Sequence, residues 1–236
     1  DSFTFNGGLT TSGVGGTVTL NTNISSSDDP LTFGAITLGN NVVINTNANA
    51  NTDDITIGAI TGGNNTLTLI TEDNVSGADV TVSGNISGVT TLTLQSIGGT
   101  ATFSGDVDVT TLTVGNNVAN LALTGDGTTI AGGFSPSNDG TLVLGDSSGD
   151  TLTFNGGISE STTGTVTLSG SIITSDDSIS FGPITLGADT IIDTNATSNS
   201  SDISISTVTG GSNNLTLSTG NNIAGADITA IGAISG

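Results

Sequence analysis

The sequence predicts an all-β chain wound as a parallel β-solenoid, or β-helix, with rungs of about 20–25 residues. Three observations carry that prediction. Apolar and hydroxylated residues alternate in short runs throughout, clusters of Gly, Asn, Ser and Asp separate the runs, and similar runs return at a nearly constant spacing.

The runs are FTF at Phe3, TVTL at Thr17, LTF at Leu31, VVI at Val42, ITI at Ile55, TLTL at Thr66, VTV at Val80, TLTL at Thr91 and TLTV at Thr111. Their period of two is that of a strand, with Leu directed to one side and β-branched Thr to the other. The intervening GG, GN, NN, SG and DD clusters supply left-handed backbone positions and local side-chain hydrogen bonds, so they read as corners. Lys, Arg and Met are absent and Glu and Gln nearly so, which leaves no segment with the composition or the 3.6-residue pattern of a helix.

Spacing turns strands into rungs. ATFSGDV at Ala101, LALTGDG at Leu121 and TLVLGDS at Thr141 place Asp106, Asp126 and Asp146 at equivalent points. Leu20, Ile44, Leu69 and Leu94 follow one another in a longer step, as do Leu168, Ile192 and Leu217. Each rung is expected to carry two longer strands and one or more short ones, and the whole chain to advance about 50 Å at the inter-strand spacing. Pro30, Pro136 and Pro183 fall at corners, and AGGFSPSNDG from Ala131 breaks the alternation as a loop expected to bulge from the rod. A closed meander of hairpins is the rival fold, but the two-residue turns that it needs are mostly absent.

A longer period overlies the rungs. DSFTFNGGL at the start returns as DTLTFNGGI from Asp150, and residues 17–88 match 165–236 without a gap. Residues 1–149 therefore form a first solenoid unit and 150–236 a partial second copy continuous with it. Because the sequence stops part-way through the second copy, a longer array is expected.

The formal charge is -21, from carboxylates alone, with no Lys, Arg or His. Phosphate recognition draws on cations that this chain lacks, which excludes nucleic acid as a partner and disfavours anionic membranes. The carboxylates must be solvated, accept hydrogen bonds, or take cations from the medium. The chain has no Cys for disulfides, no trypsin site, no basic-then-apolar leader and no long apolar run, so no membrane insertion is expected in this segment.

Nucleophilic catalysis has no His, Cys, Lys or Tyr to activate a hydroxyl. Only carboxylate pairs remain, and Asp106 with Asp108 or Asp176 with Asp177 are the acid/base candidates, each read more simply as turn residues. Calcium is the more serious prospect. Asp28 and Asp29 precede Asp53 and Asp54 by about one rung, and Asp176 and Asp177 precede Asp202 likewise, so three or four carboxylates would gather at one corner. Against this, Ser201 stands where the first copy has Asp53, and no recognised calcium motif occurs. No cofactor and no catalytic or metal residue is assigned. Sequons such as Asn64, Asn85 and Asn214 arise readily in so Asn-rich a chain. Thr66 and Thr68, Thr91 and Thr93, and Thr111 and Thr113 could align as an outward array of the kind that orders ice, interrupted where Val42, Val43 and Ile44 take the equivalent place.

The stretch GGNNTLTLITEDNVSGADVTVSGNISGVTTLTLQS, from Gly62 to Ser96, resembles the shaft repeats of secreted bacterial exoproteins of the filamentous haemagglutinin type and the β-strand repeats of giant adhesins and autotransporter passengers. The likeness extends over practically the full chain. It implies a right-handed parallel β-helix, export to the cell surface, and a stalk, adhesive or filament-building role. The resulting expectation is a non-enzymatic, extracellular shaft segment whose partners are further copies of itself, stacked end to end or bundled. An ice-binding solenoid and an S-layer lattice subunit are the alternatives.

Overall fold

A computed structural model describes residues 1–236 apart from 73–74, 163 and 221–223. Among the described residues there are 27 strands and no helix, and every strand pairing is parallel. Parallel strands in direct succession require the chain to travel a full turn before it returns, which is the geometry of a solenoid and excludes the hairpin meander.

Each turn has three sides. In the second turn these are Asn23–Ser26 on face I, Leu31–Phe33 on face II and Ile36–Leu38 on face III. Longer strands such as Ile86–Leu94 and Ile184–Asp193 run round a corner from one face to the next. Face II can be followed without a break through Leu9, Leu31, Ile55, Val80, Ala101, Leu121, Leu142, Val166, Ile184, Val208 and Ile234, which makes about 11 turns. Turn length varies from 18 residues between Val166 and Ile184 to 26 between Val208 and Ile234, the difference being taken up in the corners.

Alternation places the apolar files inside. Leu31, Phe33, Ile55, Ile57, Val80 and Val82 are buried while Thr32, Thr56 and Thr81 between them face out. The files form one continuous core from Leu20 to Val208, in which each rung rests on like side chains of the rung below. Full burial of each Leu, Ile or Phe contributes roughly 1.5–3 kcal/mol, so stability is spread along the axis rather than held in one centre.

Three expectations need correction. Leu20 does not belong to the file of Ile44, Leu69 and Leu94: it pairs with Leu38 on face III, and Ile24 precedes Ile44 on face I. In the second copy Leu168 likewise pairs with Leu186, and Ile172 precedes Ile192. A corner separates Leu20 from Ile24, so a spacing of one rung length joined residues on adjacent faces.

The segment from Ala131 does not bulge out. Phe134 is buried and stacks on Phe154 with ring centroids 5.1 Å apart, while the Phe134 amide donates to Gly157 O at 3.0 Å and the Ser159 amide donates to Phe134 O at 3.0 Å. What this segment breaks is strand pairing, which splits off the four-stranded sheet of Ile158–Ser159, Ile179–Phe181, Ile203–Ile205 and Ile228–Ala230. Asp146, finally, is not level with Asp106 and Asp126, for it lies two residues beyond Leu144 whereas they lie three beyond Phe103 and Leu123.

The long repeat and the turn are out of phase. Ile24 is in the second turn on face I, whereas its equivalent Ile172 is in the eighth turn on face III. Leu31 on face II and Val18 on face III become Ile179 on face I and Val166 on face II. A 148-residue repeat thus advances six and two-thirds turns, and the second copy shows every feature of the first on a neighbouring face.

Candidate functional site

Carboxylates at the corners are the most reactive groups in this chain, and their geometry follows from how corners join successive turns. Where the ladder of backbone bonds is interrupted, an Asp or Asn side chain commonly accepts the free amide of the next turn. Asn23 Oδ1 accepts from Val43 N at 2.9 Å, Asn41 from Thr66 at 3.0 Å, Asn120 from Thr141 at 2.8 Å and Asp189 from Asn214 at 2.7 Å. Asp54 takes the Asp79 amide at 2.8 Å, Asp79 that of Thr100 at 2.7 Å, and Asp202 that of Asp227 at 2.8 Å. All of these bonds run the same way, from an amide to an acceptor one turn nearer the N-terminus. Sequence reasoning overlooked this ladder, although an Asx residue recurring one rung length before an amide-bearing corner is its signature.

The ladder accounts for the catalytic candidates. Asp106 Oδ1 accepts from Gly127 N at 2.8 Å and its Oδ2 from Asn85 Nδ2 at 3.2 Å, which occupies both oxygens. Asp108 faces outward into a shallow groove of about 450 Å³ beside Asn64, Gly88, Thr90 and Thr129, where it is the only carboxylate among the described lining residues. The two are not brought into one site. Asp176 and Asp177 do share a groove of about 410 Å³, rimmed by Ser135, Ser159 and Ser178. Asp176, however, accepts from Thr197 Oγ1 at 2.5 Å, Thr197 N at 2.6 Å, Ser201 Oγ at 2.8 Å and Ser198 N at 2.8 Å. These donors, Thr197 first, hold its carboxyl well below the usual range, whereas an acid/base pair needs one member raised.

The expected calcium cluster reduces to a pair. Asp28 Oδ1 accepts from Asn49 N at 2.8 Å, and Asp53 Oδ2 accepts from the same amide at 3.1 Å and from Ala50 N at 2.8 Å. Both carboxyl groups are thus aimed at one amide, and the neighbouring Asp53 carboxyl raises Asp28 above its ordinary value. Asp54 is engaged with the turn above and is raised mainly by burial, with the Asp79 and Asp53 charges adding to it. Among the described residues no three carboxylates converge closely enough to hold a metal ion.

The Thr array exists as a short block. Thr66, Thr91 and Thr111 are in register, as are Thr68, Thr93 and Thr113, and Val43 replaces the file one turn below Thr68. No described helix is long and apolar enough to cross a membrane. No family model, curated protein or solved structure matches this chain.

Proposed function

We propose that this chain is a non-enzymatic, extracellular structural element, a stiff shaft segment of an adhesin-like or filament-forming polypeptide that associates with further copies of itself. The observation that carries the reading is the parallel stacking of about 11 turns, continuous along face II, around one narrow apolar core. Bending such a rod stretches backbone ladders on one side and compresses them on the other, so stiffness follows from continuity. A surface rich in hydroxyls and carboxylates, with a net charge of -21, supports solubility. The absence of Lys and Arg denies trypsin-like proteases any cleavage point.

Electron microscopy of the purified chain tests the proposal. Rods about 50 Å long that join end to end are expected, and their disappearance into monodisperse monomers at all concentrations would remove the self-association. The in-register Thr pairs favour ice binding as a second reading. Thermal hysteresis and faceted ice crystals that vanish in Thr91→Leu would establish it in place of the shaft.

A further inference from the structure

The same corner occurs twice in this molecule, and two of the differences between the copies bear on its carboxylates: Asn49 becomes Thr197 and Asp53 becomes Ser201. In the second copy Asp176 receives a hydrogen from Ser201 Oγ at 2.8 Å, which ties the corner of one turn to that of the turn before. The first copy has Asp53 at the place of Ser201 and Asp28 at that of Asp176, so a donor is replaced by an acceptor. Asp53 is 3 % exposed, and both carboxyl groups draw on the one Asn49 amide. The Asp29 charge adds to the rise of Asp28, and the charges of Asp79 and Asp53 add to that of Asp54. With no Lys, Arg or His in the sequence, no side chain of this protein can compensate them.

We propose that Asp28 and Asp53 form an acid-closed clasp, in which a proton taken from the medium joins the two carboxyl groups and pins the corner of the third turn to that of the second. When both are ionised they repel across a shared donor and the corner of residues 47–54 loosens. When one is protonated, its O–H donates to the other carboxylate and does what the Ser201 hydroxyl does permanently in the second copy. Acid therefore stiffens the first copy at a point where the second is already stiff, which goes beyond the shaft role and does not depend on it.

Amide exchange by NMR, corrected for the intrinsic effect of pH, tests the clasp on the intact chain. Protection of the Asn49 and Ala50 amides should rise about tenfold between pH 7 and about pH 4.5, while Thr197 and Ser198 stay level. Asp53→Ser should give high protection at both pH values. Asp28→Asn, compatible with the left-handed backbone there, supplies an amide donor and should do the same. Equal protection at both pH values in the natural sequence, or a rise that persists in either variant, would overturn the proposal. So would a calcium-induced rise at pH 7 equal to that caused by acid, which would make the pair a metal site.

Discussion

Residues 47–54 and residues 195–202 are the same corner built twice, and they respond to ionisation in opposite directions. In the first, Asp28 meets Asp53 and its carboxyl is pushed up. In the second, Asp176 meets Thr197 and Ser201 and its carboxyl is pulled down. The backbone is alike in both, with Asp28 and Asp176 each at φ 70 and Asn47 and Asn195 each at φ 48. Two substitutions between the copies, Asn49 to Thr197 and Asp53 to Ser201, thus reverse the electrostatics of a corner while leaving its backbone unchanged. In a chain without cations a carboxylate is stabilised by donors, and whether a corner is comfortable at neutral pH depends on how many donors its partner offers.

The largest contrast between the copies is expected at glycines that meet different surroundings. A Cβ on Gly156 would lie 2.3 Å from Gly133 N and 2.7 Å from Gly132 C, whereas its equivalent Gly7 has nothing within 4 Å. Gly156→Ala should cost about 1–3 kcal/mol in urea unfolding, and Gly7→Ala should stay within about 0.5 kcal/mol. Equal losses would show that the seam between the copies is looser than its backbone contacts imply.

The comparison is broken most directly by Ser201→Asp, which gives the second corner the acceptor of the first. Carboxyl NMR titration should then find Asp176 less depressed than in the natural chain, since the Thr197 and Ser198 donors remain, and stability at pH 7 should fall, with the loss shrinking as the solution is acidified. An Asp176 as depressed as before would mean that the Thr197 and Ser198 donors alone determine it.

The natural chain should show both behaviours in one pH profile. Asp176 and Asp189 lie below their unfolded value of about 3.9, so the stability that they contribute is complete above that value and is lost as pH falls through it toward their own. Asp28 and Asp54 lie above it, so they are destabilising when ionised and are relieved as pH falls through their raised values. The urea midpoint should accordingly rise on mild acidification and fall in stronger acid. A profile that only falls would leave no place for the raised pair. The smallest change is expected from Thr68→Val, within about 0.5 kcal/mol of the natural chain, since Val43 already holds the corresponding outward place one turn below.

Much of this architecture is legible without coordinates, but unevenly. TLTL at Thr66 and Thr91 declares which residues turn inward, and Leu67 and Leu69 do sit above Val42 and Ile44 and below Leu92 and Leu94. The spacing of Leu20 misleads because a corner of two residues and a rung of average length yield the same separation as two strands in register. Phe134 is hard to place for another reason: its neighbours are Gly, Ser and Pro, and only the Phe154 ring, from another face of the same turn, shows that it belongs to the core. The acidic corner is half legible. Repetition points to Asp28, Asp53 and Asp176, but not to the amides that each finds.

By itself, the sequence determined that this protein is made of strands, that its aliphatic residues line one interior, and that its carboxylates have no cationic partner, because alternation and composition are properties of neighbouring residues. Tertiary structure decided which corners meet, why the second copy is turned by one face, and why Asp28 and Asp176 differ in charge behaviour. Those outcomes depend on the summed lengths of many corners, each absorbing residues freely, and on contacts between residues some 20–25 positions apart, which no local pattern records.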